Sequence, residues 1–114
     1  MTFMDFIESI NEHQSGLIGY LDKQFLDQEG VTRKMRFRIP FYDFNKWICY
    51  LNPVKDNRVE LCFLDGIPMK EMFLALDTRG RKKVSGLMLD VSEDIPIDMI
   101  LEMIAAAKGL AKKS

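Results

Sequence analysis

Histidine and cysteine are scarce in this chain, which has one histidine and two cysteines among its 114 residues. An HExxH motif or a zinc site needs more such side chains than His13, Cys49 and Cys62 can supply, and a Ser-His-Asp set could use no histidine other than His13. A CxxC pair, a GxSxG motif and a glycine-rich phosphate loop are also absent from the sequence. The sequence therefore predicts a non-enzymatic protein, although a site built from arginine, tyrosine and carboxylates would leave no such spacing.

The sequence also lacks long apolar runs and an excess of charge of either sign. The formal net charge is −1, and no apolar run approaches the length of a membrane span. The first residues are acidic and have no basic region of the kind that opens a signal peptide. We expect a cytoplasmic protein that binds neither membranes nor nucleic acid, since a chain near neutrality does not attract polyanions over long range.

The length and composition are typical of one globular domain. Hydrophobic residues make up 47% of the chain and charged residues 29%. A chain of this length buries roughly two-thirds of its unfolded surface without disulfides or metals. We expect residues 1–114 to form a single domain.

Alternating apolar side chains predict a strand over residues 34–42, followed by two hairpins. The loops Asp43-Phe44-Asn45 and Lys55-Asp56-Asn57 each end in asparagine, which tolerates the left-handed conformation of a three-residue hairpin loop. This register places Phe41 opposite Trp47 and Leu51 opposite Leu61. The predicted apolar face comprises Phe37, Ile39, Phe41, Trp47, Cys49, Leu51, Val59, Leu61 and Phe63. The mixed second face comprises Arg36, Arg38, Tyr42, Ile48, Tyr50, Glu60 and Cys62.

Helical periodicity flanks these strands. Residues 2–29 have apolar side chains at helical spacing and a polar break at 12–16, so one kinked helix and two helices both fit. A short helix or lid is predicted near residues 69–76, a fourth strand at 84–91, and a C-terminal helix after Pro96. The predicted fold is a two-layer α+β domain, in which an antiparallel meander sheet of about four strands is covered on one face by the N- and C-terminal helices.

Three stretches, MRFRIPFY, WICYLNP and LALDTRGRKKVSGLMLDVSEDIP, together with the closing amphipathic helix, resemble the YdhG-like domain family, also called domain of unknown function 1801. The resemblance covers roughly residues 3–112. It implies a small cytoplasmic binding protein, and the description of one family member as a frataxin-like iron chaperone implies iron handling. Arg38 stands where the family usually has a small residue, often glycine.

A carboxylate cluster near the N-terminus is the candidate metal site. Asp5, Glu8 and Glu12 would stack along one face if they lay on a single helix, and carboxylates of this kind suit weakly bound iron. The alternative interpretation is an ordinary solvated helix face, which also carries acidic residues opposite an apolar stripe.

A basic and aromatic set on the second sheet face is the other candidate site. Arg36 and Arg38 point the same way, and the register places Tyr50 opposite Arg38. The set could bind an anionic small ligand, or the face could contact a protein partner or a second copy of the chain. Ordinary cross-strand pairing is the simpler interpretation. The candidate residues are Arg36, Arg38, Tyr42, Tyr50, Arg79, Lys82 and Lys83.

Overall fold

The computed structural model describes residues 1–113, which form four helices and a five-stranded antiparallel sheet. The helices are α1 (Phe3–Ser9), α2 (Glu12–Leu26), α3 (Gly66–Met72) and α4 (Ile97–Lys112). The strands are β1 (Thr32–Arg36), β2 (Ile39–Phe44), β3 (Lys46–Val54), β4 (Arg58–Phe63) and β5 (Ser85–Asp90). Strand order in the sheet equals strand order in the chain, so the sheet is a meander as predicted.

The N-terminal segment is two helices because the chain makes a second helix start at Asn11. Thr2 and Asp5 form a capping box at α1, and Ile10 then adopts an extended conformation. The Asn11 side chain accepts a hydrogen bond from the Gln14 backbone N–H at 2.9 Å and caps α2. Gly30, at φ +81°, turns the chain from α2 toward β1 in the left-handed conformation expected for glycine.

The predicted strand over residues 34–42 is wrong, because a tight turn divides it into β1 and β2. Arg36 pairs with Ile39, so the turn contains only Phe37 and Arg38. Their φ angles are +52° and +65°, and positive φ at both positions is what a type I′ hairpin turn requires. Phenylalanine and arginine are not typical of such a turn. The alternation therefore predicted one strand where the sheet has two.

The predicted register is confirmed between β3 and β4 but wrong between β2 and β3. Leu51 pairs with Leu61 as expected, whereas Phe41 pairs with Tyr50 and not with Trp47. The register shifts after Tyr42: Cys49 is opposite Tyr42, Trp47 is opposite Asp43, and Ile48 between them has no partner across the ladder. This is a β-bulge, which changes the face to which the side chains on either side of it point.

The bulge and the β1–β2 turn correct the face assignment of several residues. Tyr42 and Ile48, predicted on the second face, are buried in the main core. Phe37, Ile39, Phe41 and Trp47, predicted on the core side, line the opposite face.

All four helices contribute to a core on one face of the sheet, as the two-layer prediction requires. Phe6 of α1, Ile18 of α2, Met69 of α3 and Ile104 of α4 belong to the same buried cluster. The sheet contributes Tyr42, Ile48, Cys49, Leu51, Val59, Leu61, Phe63 and Leu89 to this cluster. None of the helices in residues 1–113 has the length and apolarity needed to cross a membrane.

Candidate functional site

An aromatic groove occupies the sheet face that the helices leave open. Its cavity volume is about 430 Å³. The lining residues are Phe37, Ile39, Phe41, Trp47, Tyr50, Asn52, Leu64 and Val84. Six of these eight side chains come from β2, β3 and the turn before β2, and the other two lie where β4 ends and β5 begins. We call this surface the aromatic groove.

Phe41 is the centre of the groove. Its ring lies 4.8 Å from that of Tyr50 in a stacked arrangement, 5.0 Å from Trp47 and 5.8 Å from Phe37. Phe41 is buried, Trp47 and Tyr50 are half-buried, and Phe37 is 80% exposed. The groove therefore has a floor of packed aromatic rings and, at the hairpin tip, one aromatic side chain that is largely exposed to solvent.

The β-bulge explains how Trp47 and Tyr50 come to share one face. In a regular strand, side chains three residues apart point to opposite faces. The additional residue, Ile48, reverses the alternation between Trp47 and Cys49, so Trp47 joins Tyr50 on the open face. A local irregularity thus builds the floor of the groove, and a sequence pattern of period two cannot reveal it.

A buried carboxylate with two arginine partners supports the open face beside the groove. The Glu60 carboxylate, on a residue only 2% exposed, accepts hydrogen bonds from Arg81 Nη2 at 2.7 Å and Arg81 Nη1 at 3.2 Å. Arg79 Nη1 donates to the same carboxylate at 3.1 Å. Burial alone would raise the pKa of Glu60, but its bonds to Arg81 outweigh this and hold the pKa below the ordinary value.

Arg81 has no donor left for a ligand. Its Nε donates to the Thr78 carbonyl at 2.8 Å, and its Nη groups reach Glu60, the Cys62 sulfur and the Asp77 carbonyl. These contacts use the whole donor set of a guanidinium. Arg81 is therefore a structural clamp across β4 rather than an anion-binding group.

Gly86 provides the space for the Glu60 carboxylate. A β-carbon at this position would overlap the Glu60 carboxylate. Gly86 pairs with Cys62 on β4 and also bridges Asp77 on its other side. The segment that carries Arg79 and Arg81 is thus tied to the edge strand by backbone hydrogen bonds.

Tyr50 and Cys62 are neutral neighbours beneath the groove. Burial, reinforced by the Cys62 thiol opposite it on β4, raises the pKa of Tyr50 to about 12. Burial also raises the pKa of Cys62, to about 11, so the thiolate is scarce at neutral pH. Neither side chain is set up as a nucleophile, and Tyr50 offers a hydroxyl for hydrogen bonding instead.

Three basic side chains without a carboxylate partner lie at one end of the groove. The Arg36 guanidinium lies 5.6 Å from the centre of the Trp47 ring. Lys34 and Arg36 pair across the ladder with Phe41 and Ile39, so they point to the open face. Within residues 1–113, Lys34, Arg36 and Arg38 have no hydrogen bond or ion pair through their side chains. These three side chains make one end of the groove positive.

A second, smaller cavity adjoins the aromatic groove. Its volume is about 170 Å³. It is lined by Leu64, Asp65, Gly66, Ile67, Pro68, Lys82 and Lys83. Leu64 belongs to both cavities, so the two share a wall. We call it the lysine cavity.

The basic and aromatic residues predicted as one site are separated in the structure. Arg36 and Tyr50 meet at the aromatic groove, Lys82 and Lys83 line the lysine cavity, and Arg38 is exposed in the turn. Arg79 is paired with Glu60. The members that sequence reasoning missed as site residues are Phe37, Ile39, Phe41, Trp47, Asn52, Leu64 and Val84.

Tyr42 is part of the core and is inaccessible to a ligand. Its hydroxyl donates to Asp22 at 2.7 Å, and Arg33 contacts the other carboxylate oxygen of Asp22 at 2.7 Å. Burial and then the negative charge of Asp22 raise the pKa of Tyr42. This network fastens β1 and β2 to α2.

The predicted carboxylate cluster is divided between two helices. Asp5 and Glu8 lie on α1, whereas Glu12 is in the first turn of α2. The Asp5 carboxylate accepts a hydrogen bond from the Thr2 backbone N–H at 3.2 Å, which lowers the pKa of Asp5. Among residues 1–113, no three His, Cys, Asp or Glu side chains are grouped so that they could hold a metal ion.

No protein-family model, curated protein or solved structure matches this chain.

Proposed function

We propose that this protein is a non-enzymatic binding protein that holds a small, flat organic ligand in the aromatic groove. The observation that supports the proposal is the cluster of Phe37, Phe41, Trp47 and Tyr50 on the sheet face without helices. Aromatic side chains in the main core are packed by other elements, whereas these four face a cavity.

The size and chemistry of the groove suit such a ligand. Pockets for small molecules have volumes of about 300–1,000 Å³, are mainly apolar and contain a few polar groups that orient the ligand. The groove volume of about 430 Å³ lies in this range. Tyr50 and Asn52 are its polar lining residues. A ring system could stack between the floor and Phe37, as aromatic rings prefer offset or tilted contacts.

The charges around the groove favour an anionic ligand over a cationic one. Lys34, Arg36 and Arg38 carry no counter-charge, and Arg81, although paired, lies close enough for its positive charge to limit the rise in the pKa of Tyr50. Asp43 is opposite Trp47, whereas Glu60, opposite Asn52, is already neutralised by Arg79 and Arg81. Three cations against one carboxylate leave this end of the groove positive, which attracts anions at low ionic strength.

Trp47 is the only tryptophan of the chain, so one indole N–H resonance reports on the groove. The proposal is tested by adding 2-naphthoate to ¹⁵N-labelled protein and following this resonance. We expect a saturable shift, and we expect Phe37→Ala to weaken binding about tenfold, because stacking and apolar contact with one ring are lost.

Leu74→Ala is the matched control, because Leu74 is also exposed, at 92%, and does not line the groove. This control should bind like the wild type. No shift of the Trp47 indole, or equal weakening by the two variants, would refute the groove as the ligand site. Sedimentation of the same samples tests whether the groove binds a second copy of the chain. A copy bound against Phe37 would be displaced by the ligand.

A further inference from the structure

The aromatic groove and the lysine cavity meet at the start of β5. Leu64 lines both, and the adjacent residues Lys83 and Val84 line one each. The two cavities are thus neighbours on either side of Leu64, and a ligand that extends past Leu64 from the aromatic groove would reach the lysine cavity.

The lysine cavity has an excess of positive charge. Lys82 and Lys83 are exposed and, within residues 1–113, their side chains have no hydrogen bond or ion pair. Asp65 is the acidic lining residue, and Lys46 Nζ lies 3.0 Å from its Oδ2 atom. Because Lys46 neutralises Asp65, the charges of Lys82 and Lys83 remain available.

The lysine cavity is too small to be a site for a whole organic ligand. Its volume of about 170 Å³ is below the range of about 300–1,000 Å³ that small-molecule pockets occupy. The Gly66 backbone N–H is already donated to the Lys83 carbonyl at 2.8 Å, so recognition there depends on the lysine side chains. Lysine ammonium groups bind phosphate as point charges.

We propose that the ligand is an aromatic phosphomonoester, with its ring system in the aromatic groove and its phosphate between Lys82 and Lys83. This inference rests on the proposed function and adds the chemical class of the ligand. Two lysines match the charge of a phosphomonoester, which approaches −2 at pH 7 because its second pKa is about 6. A carboxylate would leave one of the two cations without a counter-charge.

The test compares 2-naphthyl phosphate with neutral 2-naphthol on the full chain, again through the Trp47 indole resonance. We expect the phosphate to bind about tenfold more tightly or better, because its two lysine contacts are charge-assisted. The preference should shrink when the pH falls from 7.5 to 5.0, since the phosphate then carries a single charge.

A double variant, Lys82→Gln with Lys83→Gln, should abolish the preference and leave 2-naphthol binding unchanged. Lys70→Gln is the control, because Lys70 is an exposed lysine of α3 outside both cavities. Arg36→Gln should retain the preference for the phosphate.

The outcomes separate the two proposals. Equal affinity for the two compounds, or loss of the preference in Arg36→Gln and not in the lysine double variant, would overturn the phosphomonoester inference while the groove stays the binding site. Failure of both compounds to shift the Trp47 resonance would overturn the inference and the proposed function together.

Discussion

Gly86 and Glu60 are packed so closely that one depends on the other. The carboxylate occupies the space that a side chain at Gly86 would need. We expect Gly86→Ala to lower the free energy of unfolding by about 1–3 kcal/mol, because the carboxylate held by Arg79 and Arg81 must move. Urea denaturation measures the change.

Gly109→Ala is the matched control for this prediction. Gly109 lies in α4 with no atom within 4 Å of an added β-carbon, so alanine should stabilise the protein by roughly 0.5–1 kcal/mol through its helix propensity. If Gly86→Ala were as stable as the wild type, the tight fit of the carboxylate would be disproved.

The Glu60 carboxylate also predicts sensitivity to acid. Its pKa in the folded protein is held below the ordinary value, so the stabilisation is present above the pKa of the unfolded state and is lost as the pH falls through the folded pKa. We expect the wild type to lose stability below about pH 4.3, the ordinary value for glutamate. Glu60→Gln should be less stable than the wild type at pH 7, and its stability should fall by less than that of the wild type between pH 7 and pH 3.

Urea denaturation of both proteins at pH 7, 5 and 3 gives the comparison. The other carboxylates with a lowered pKa, those of Asp5 and Asp90, are present in both proteins and cancel. Parallel loss of stability in the two proteins would show that Glu60 makes no contribution to the acid sensitivity.

At the scale of elements, the β1–β2 turn uses residues that suit its backbone poorly. Arg38 adopts φ +65°, a conformation in which a non-glycine residue is strained by roughly 1–2 kcal/mol. Glycine removes the strain but loses more entropy on folding, so we expect Arg38→Gly to stabilise the protein by about 0.5–1 kcal/mol. Thermal unfolding monitored by circular dichroism measures this change in stability.

The control for the turn is Lys34→Gly, since Lys34 lies within β1 and is also an exposed basic residue. Glycine in a strand should destabilise the protein by roughly 0.5–1 kcal/mol. Destabilisation of similar size by both substitutions would contradict the left-handed turn.

The same elements show how much of the fold can be predicted from sequence. The loop before β4 was predictable because Asn57 announces a left-handed residue, and Asn57 indeed has φ +60°. The turn at Phe37 and Arg38 contains neither glycine nor asparagine, so alternation alone extended one strand through it. The strand count and the faces of β2 could therefore not be predicted correctly.

For the aromatic groove, the sequence predicted the face of only a few residues. Arg36 and Tyr50 are on the open face as expected from the alternation. Trp47 was assigned to the core because a β-bulge adds one residue without changing the composition of the strand. Phe41 and Trp47 are not paired across the two strands, although the sequence predicted this pairing. Their rings are nevertheless in contact, on the face opposite to the predicted one.

In the molecule as a whole, one face of the sheet carries the main core and the other carries the proposed ligand groove. Phe37, Phe41, Trp47 and Tyr50 are all outside the main core cluster. We expect Phe37→Ala to change the free energy of unfolding by less than about 0.5 kcal/mol, as its side chain is largely exposed. Leu51→Ala, on the other face and fully buried, should cost about 2–5 kcal/mol.

Urea denaturation of the two variants tests this separation of roles. When both variants are folded, their effects on ligand affinity should have the opposite order: Phe37→Ala should weaken binding more than Leu51→Ala. A large loss of stability in Phe37→Ala would mean that the hairpin tip supports the fold as well as the groove.

The meander also has a consequence for the order in which the molecule forms. Short loops connect β1 to β4 in succession, so these strands can pair one after another at a small cost in loop-closure entropy. The helices α2 and α4, in contrast, come from opposite ends of the chain and meet in one core. During synthesis on the ribosome, β1 to β4 emerge before α4, so the groove aromatics can assemble while the reverse face of the sheet still awaits its last helix.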